Sequence, residues 1–166
     1  RGRSQGGLYG DVVEEFDTET GRLLDAMDTL GLTDNTLVIY TRDNGPWNQE
    51  KYTHKKKGHS EGSIFWGDSG PLRNGKGSPY EGGYRLPCIA RWPSRVPAGK
   101  SSDAIFATVD LMPTFAKLAG FEIPQDRKID GVDQTALLLG QRETGREYFY
   151  FSGAGVRRGK WKYLKA

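Results

Sequence analysis

The chain reads Val38-Ile39-Tyr40-Thr41-Arg42-Asp43-Asn44-Gly45-Pro46 at the point that decides its fold. An apolar, β-branched run stops abruptly at a carboxylate and a carboxamide, and a Gly-Pro turn follows. This pattern is typical of a buried strand in an α/β protein, whose carboxyl end presents polar side chains to a ligand. The stretch therefore predicts an α/β fold with a ligand site directly after this strand.

The segments around this strand predict an αβ unit. Tyr9 to Leu30 carries apolar residues at intervals of three and four, which predicts a helix closed by Gly31. Asn35 to Thr41 is expected to be the strand itself, and Leu86 to Trp92 a second strand. Residues 45–80 show no periodicity, and so long a stretch without regular structure is usually functional or disordered.

The C-terminal third predicts two helices and a small antiparallel sheet. Asp110 to Ala119 reads as a helix with Asp110 as its N-cap, and Gln134 to Leu139 as a short helix capped by Asp133. Alternating apolar and polar residues then predict three strands, at Glu147–Phe151, Gly155–Arg158 and Lys160–Leu164.

Bulk composition excludes few functions. The 166 residues can bury one core with a small appended subdomain. The net charge of +3, from 24 basic and 21 acidic residues, gives no argument for nucleic acid or a membrane surface. No apolar run approaches the roughly 20 residues that span a bilayer. The opening Arg1–Gly7 reads as an internal loop, so the chain is expected to be a fragment or a processed product.

Asp43 and Asn44 are the first candidate site residues. Carboxylate and amide oxygens are the ligands that Ca²⁺ and Mg²⁺ prefer. Adjacent strand residues point in opposite directions, so both can bind one ion only if the chain turns, and Gly45-Pro46 predicts such a turn. The alternative interpretation is an Asx-type turn that closes the strand without a metal.

Lys76 is the second candidate. Gly75 and Gly77 on either side let the backbone approach a ligand closely, and the ammonium is a compact charge for an anionic oxygen. The alternative is a solvated loop lysine.

His54 and His59 flank Lys55–Lys57, where a histidine can serve as a general acid toward a leaving group. The preferred interpretation of that segment is a solvated basic loop.

Cys88 is the one cysteine, so no intrachain disulfide can form. It opens the sequence Cys88-Ile89-Ala90-Arg91, which lies within the second predicted strand. A buried structural thiol within a strand is the preferred interpretation.

Two motifs carry a resemblance to a known family. They are the Asp43–Pro46 turn and the stretch Gly75-Lys76-Gly77-Ser78-Pro79-Tyr80-Glu81-Gly82-Gly83. With further matches in the same order, the chain resembles the C-terminal part of a sulfatase, within the alkaline-phosphatase-like superfamily. The further matches are Tyr9–Asp17, Leu30–Ile39, Ala90–Pro93, Val109–Thr114 and Asp130–Asp133.

The resemblance implies a partial mixed sheet flanked by helices, followed by a small C-terminal antiparallel sheet with a helix. Residues 1–100 would be the C-terminal part of the catalytic domain. Residues 101–166 would be the end of that domain and a small α+β subdomain.

The resemblance also implies roles for individual residues. Asp43 and Asn44 would supply part of a divalent-metal site for Ca²⁺ or Mg²⁺, although Arg42 stands where the family usually has serine. Lys76 would contact the sulfate group, and His59 would line the pocket. Glu81 and Arg85 are expected to form a buried pair, with Gly82 and Gly83 required by the backbone.

In the resembled family a cysteine is converted to formylglycine, but at Cys88 the arginine falls one position too early for that motif. The nucleophilic formylglycine and the paired aspartate of the metal site are therefore expected before Arg1, and this chain alone is predicted to be inactive. The expected substrate is a sulfated small molecule or glycan, with no nucleic acid or membrane partner, and a homo-oligomer is allowed. The family suggests a secreted, periplasmic or lysosomal location. The alternatives are a phosphatase or phosphonate monoester hydrolase of the same superfamily, and a non-catalytic polyanion-binding module.

Overall fold

The computed structural model describes residue 2 and residues 4–47 and 67–165. The chain forms two compact units, Arg1–Ile89 and Ala90–Ala166. In chain order the helices and strands are α1 (Gly7–Thr29), β1 (Val38–Thr41), α2 (Glu81–Tyr84), β2 (Cys88–Arg91), α3 (Leu111–Leu118), α4 (Thr135–Leu138), β3 (Tyr148–Tyr150), β4 (Gly155–Arg158) and β5 (Trp161–Leu164). Among the described helices, none is both long and apolar enough to cross a membrane.

α1 confirms the predicted first helix, although it begins at Gly7 rather than Tyr9. Its end is fixed by Gly31, whose φ of 68° lies in the left-handed region that suits glycine. The Gly31 N–H donates to the Asp28 carbonyl and the Leu32 N–H to the Met27 carbonyl, at 3.2 and 2.9 Å. These two bonds form a Schellman motif, which satisfies carbonyls that the helix end leaves open.

β1 and β2 are hydrogen-bonded neighbours in a two-stranded sheet. Both strands are shorter than predicted, and before β1 residues Thr33–Asn35 form a turn of 3-10 helix. The Thr41 hydroxyl donates to the Pro87 carbonyl at 3.0 Å, which links the end of β1 to the start of β2. β1 ends at Thr41, as predicted, which is two residues before Asp43.

The second unit holds α3, α4 and an antiparallel sheet in the order β3-β4-β5. The register places Tyr148 opposite Arg158, and Arg158 opposite Trp161. The buried apolar side chains described in this unit are Trp92, Ala107 and Phe151. The three predicted strands and both predicted helices are therefore confirmed, with small shifts at their ends.

Asp110 differs from its predicted role. It precedes α3 as expected, but its carboxylate makes no capping bond to that helix. The side chain is fully buried and accepts hydrogen bonds from the N–H groups of Ala107 at 2.9 Å and Val132 at 2.8 Å. It also pairs with Arg146 Nη2 at 3.4 Å. Asp110 is thus the N-cap residue of α3 in position, as predicted, but its side chain has a different role, because a carboxylate buried this deeply must be compensated from several sides.

Candidate functional site

The backbone bends at Asp43 and Asn44, directly after β1. Asp43 is exposed and Asn44 is half-buried. The Asn44 N–H donates to Asp43 Oδ1 at 2.9 Å, which is a local turn contact. The chain thus makes the turn that two adjacent oxygen ligands would need, and the same bond is compatible with a turn that holds no metal.

Gly45 fixes this turn against α2. Its N–H donates to the Gly83 carbonyl at 3.0 Å, and the residue is buried. A Cβ at position 45 would lie 1.8 Å from the Gly82 carbonyl oxygen, so no other residue fits here without moving the backbone. The predicted turn therefore requires glycine at position 45 for a steric reason that lies in α2, a segment much later in the chain.

Lys76 is brought to the same turn by its backbone. Its N–H donates to the Pro46 carbonyl at 2.9 Å, and its side chain is exposed. Gly77 adopts a φ of 82° and Asn74 a φ of 58°, so the loop reverses direction on both sides of Lys76. The structure therefore joins the two predicted motifs through Gly45 and Pro46, although residues 48–66 lie between them in sequence.

The backbone of α2 packs against both loops. A Cβ on Gly82 would lie 1.8 Å from the Asn74 carbonyl oxygen, and one on Gly83 would lie 2.5 Å from the Ser78 carbonyl oxygen. The predicted need for glycine at both positions is confirmed. The expected burial of Glu81 and Arg85 is wrong, because Glu81 is half-buried and Arg85 is exposed. The backbones of the two residues are joined, because the Arg85 N–H donates to the Glu81 carbonyl at 2.7 Å.

Trp47 is a site residue that the sequence reasoning missed. It follows Pro46 directly, and the Lys76 ammonium lies 5.8 Å from the centroid of its ring. This distance is within the range of a cation–π interaction. A large aromatic residue immediately after a predicted ligand turn was the signal that could have identified it.

Two other predicted features have different outcomes. His54 and His59 lie outside the described residues, so their roles stay predictions. Cys88 does begin β2, but it is exposed rather than buried, so that part of the prediction was wrong. Partial burial of the sulfur raises the pKa of the Cys88 thiol, and a hydrogen bond with the Thr41 side chain partly offsets this. Since the thiolate is the reactive form, the raised pKa lowers the reactivity of Cys88 near neutral pH.

Comparison with known proteins assigns this arrangement to a family. The family model described as Sulfatase matches residues 3–121. Steryl-sulfatase from Homo sapiens is 40% identical over 162 residues, which are 96% of this chain and 27% of the relative. N-acetylgalactosamine-6-sulfatase from Canis lupus familiaris is 40% identical over 92% of this chain and 27% of its own length.

Solved structures agree with the sequence relatives. A structure titled for glycosaminoglycan metabolism by Bacteroides thetaiotaomicron superposes with a TM-score of 0.78 at 34% identity, covering 99% of this chain and 34% of that one. The crystal structure of Ps i-CgsB in complex with a neocarrahexaose gives a TM-score of 0.76 at 28% identity, covering 99% of this chain and 35% of that one. The chain spans about a quarter to a third of the length of the relatives and structures it matches.

The fold class is therefore that of the alkaline-phosphatase-like sulfatases, as the resemblance implied. The two joined motifs lie within the matched residues, and both compact units are covered by the relatives. The chain belongs to the sulfatase family.

Proposed function

We propose that this chain is part of an enzyme that hydrolyses sulfate esters. Asp43 and Asn44 contribute oxygen ligands to a divalent metal, and Lys76 binds the sulfate group. The observation that supports this most directly is the pair of backbone hydrogen bonds, Gly45 N–H to Gly83 and Lys76 N–H to Pro46. Because of these bonds, the two motifs meet at one place in the fold.

The donor set fits a hard divalent cation in part. Asp43 offers a carboxylate and Asn44 a carboxamide, which suit Ca²⁺ or Mg²⁺. Among the described residues there is no group of three or more His, Cys, Asp or Glu side chains that could hold a metal. The pair is therefore proposed as part of a shared site that other segments of the family domain complete.

The residues of this chain would bind and orient the anionic end of the substrate. The Lys76 ammonium, whose backbone N–H donates to the Pro46 carbonyl, would attract sulfate oxygens and stabilise the negative charge that grows as the ester bond breaks. A metal held by Asp43 and Asn44 would supply further stabilisation of negative charge. The attacking group, a formylglycine in the resembled family, is proposed to come from outside this chain, so the chain alone should not turn over substrate.

The substrate proposed is a sulfated small molecule or glycan. Relatives of this chain are named for a steryl sulfate and for N-acetylgalactosamine 6-sulfate, and one matched structure holds a carrageenan-type oligosaccharide. The substrates in these names contain different alcohols, and the sulfate ester is the group they have in common. The shared chemistry supports sulfate recognition and leaves the choice of alcohol to other contacts.

The proposal is tested by comparing variants of the longest natural polypeptide that contains this chain. With 4-nitrophenyl sulfate as substrate, we expect Asp43→Ala and Lys76→Ala each to lower kcat/KM by at least about a hundredfold, as when one charge-stabilising group is removed. Lys117→Ala, in the last turn of α3, is the matched control and should match the wild type. Calorimetric titration of metal-stripped protein with Ca²⁺ or Mg²⁺ should show weaker binding for Asp43→Ala and unchanged binding for Lys76→Ala.

The alternatives predict different results. Cleavage of phosphate or phosphonate esters with no cleavage of sulfate esters would replace the sulfatase proposal by its superfamily neighbour. Salt-sensitive binding to polyanions without hydrolysis or metal dependence would support a binding module. An active wild type with two fully active variants would show that the site residues are wrong.

A further inference from the structure

The position of Trp47 relative to Lys76 is set by the backbone rather than by loose side-chain contact. Pro46, the residue before Trp47, has a φ restricted by its ring. Its carbonyl accepts the Lys76 N–H at 2.9 Å, and Gly45 before it is held by Gly83 at 3.0 Å. Trp47 therefore directly follows a residue whose carbonyl is hydrogen-bonded to the Lys76 backbone.

The indole is neither a core side chain nor a fully solvated one. Trp47 is 42% exposed, whereas Trp92 in the second unit is 7% exposed. The Lys76 ammonium lies 5.8 Å from the centroid of the Trp47 ring, so a positive charge stands beside a partly exposed aromatic surface. Such a surface binds a flat or ring-shaped apolar body while the neighbouring charge binds an anion.

A sulfate ester has these two parts. Its sulfate is anionic, and the alcohol that carries it begins one oxygen away. If Lys76 holds the sulfate, the first ring of the alcohol must lie close to Lys76, which is where the indole surface is found. Pyranose, phenyl and sterol rings all present a rigid face of C–H or π character that can stack on an indole, whereas a linear alkyl chain has C–H groups but no rigid face.

We propose that Trp47 binds the first ring of the alcohol and so selects sulfate esters of cyclic alcohols. This inference rests on the proposed role of Lys76 in sulfate binding. A purely local role, in which the indole only orients the Lys76 ammonium, is the competing explanation. The two explanations differ in whether inorganic sulfate, which has no ring, depends on Trp47.

The test uses the longest natural polypeptide that contains this chain. KM is measured for 4-nitrophenyl sulfate and for a hexosamine 6-sulfate, and the inhibition constant is measured for inorganic sulfate. We expect Trp47→Ala to raise KM about tenfold for at least one ring ester, as loss of an aromatic stacking contact does. The inhibition constant for inorganic sulfate should stay unchanged, and Trp47→Phe should restore most of the KM. The ester that responds identifies whether the ring is aromatic or a sugar.

Controls separate this inference from the proposal on which it rests. Lys76→Ala should weaken inhibition by inorganic sulfate as well as ester binding. Trp161→Ala is a matched control, because Trp161 is 74% exposed and has the Lys160 ammonium 5.4 Å from its ring centroid, yet lies on the C-terminal sheet. It should leave every constant unchanged, and circular dichroism should show that all variants are folded.

Two outcomes overturn the inference. If Trp47→Ala weakens inorganic sulfate and the ring esters equally, the indole acts only through Lys76. If it changes neither, the indole binds no part of the substrate. In both cases the wild type still hydrolyses sulfate esters and the proposed function stands, whereas a wild type that hydrolyses neither ester removes both.

Discussion

Gly45, Gly82 and Gly83 show how single residues hold the candidate site together. At each position a Cβ would lie within 2.5 Å of a backbone oxygen of another loop or turn. Real Cβ atoms do not approach so closely, and a carbonyl cannot move aside as a flexible side chain can. The three residues are required because backbones pack directly against each other here, which leaves room for two loops to meet beside Lys76.

At the residue scale, Gly82→Ala should lower the free energy of unfolding by about 2 kcal/mol, since the new methyl group would overlap the Asn74 carbonyl oxygen. Gly21→Ala is the matched control, because Gly21 lies inside α1 and a methyl group added there would have no other heavy atom within 4 Å. That change should raise the free energy of unfolding by about 0.5–1 kcal/mol. Urea unfolding measures both, and equal effects of the two changes would contradict the packing argument.

At the scale of elements, Asp110 is the group that ties the parts of the second unit together. It binds Ala107 before α3, Val132 before α4, and Arg146 before β3. Arg146 also donates to the Asp130 carbonyl at 2.8 Å. Both groups of the ion pair are thus hydrogen-bonded to the loop between α3 and α4. One buried ion pair therefore links the segments that precede α3, α4 and β3.

Asp110→Asn should lower the free energy of unfolding by about 3 kcal/mol, because it leaves the Arg146 charge largely buried without its partner. Asp126→Asn is the control, since Asp126 pairs with Arg127 on the surface with both side chains 66% exposed. Exposed pairs contribute little, so its unfolding curve should match that of the wild type. A small effect of Asp110→Asn would mean that the neighbouring N–H groups suffice without the charge.

At the scale of the whole molecule, α1 presents an apolar surface that its own unit does not cover. Val12, Phe16 and Leu23 are 57%, 61% and 58% exposed, while Met27 is buried. Large exposed apolar patches promote association. The periodic pattern that predicted the helix thus identified an apolar face correctly, but only part of that face is buried within these 166 residues.

The 166-residue chain by itself should therefore self-associate in solution. Replacing both Val12 and Leu23 by Gln should shift it toward the monomer, because it removes apolar area from the exposed side of α1 without touching Met27. Glu14→Gln on the same helix is the control and should leave association unchanged. Sedimentation velocity gives the answer, and a monomeric wild type would show that this surface is tolerated in water.

Much of the fold and the two motifs of the candidate site follow from the sequence by itself. Periodicity identified α1, α3 and the C-terminal strands, because local hydrophobic patterns encode which face of an element is buried. The Asp43–Pro46 turn was predicted from residue type and its place after a strand, whereas the Gly75–Gly83 motif was identified through its resemblance to sulfatases. α2 was missed, since a single turn of helix with two glycines has no period to detect.

Only the tertiary structure decided which of these features touch. It placed Pro46 against Lys76 and Gly45 against α2, added Trp47 to the site, and showed that the carboxylate of Asp110, the N-cap residue of α3, is buried in an ion pair. These outcomes depend on contacts between segments that are distant in sequence. Residue type limits what a side chain or backbone group can bind, and the folded chain determines which partner is within reach.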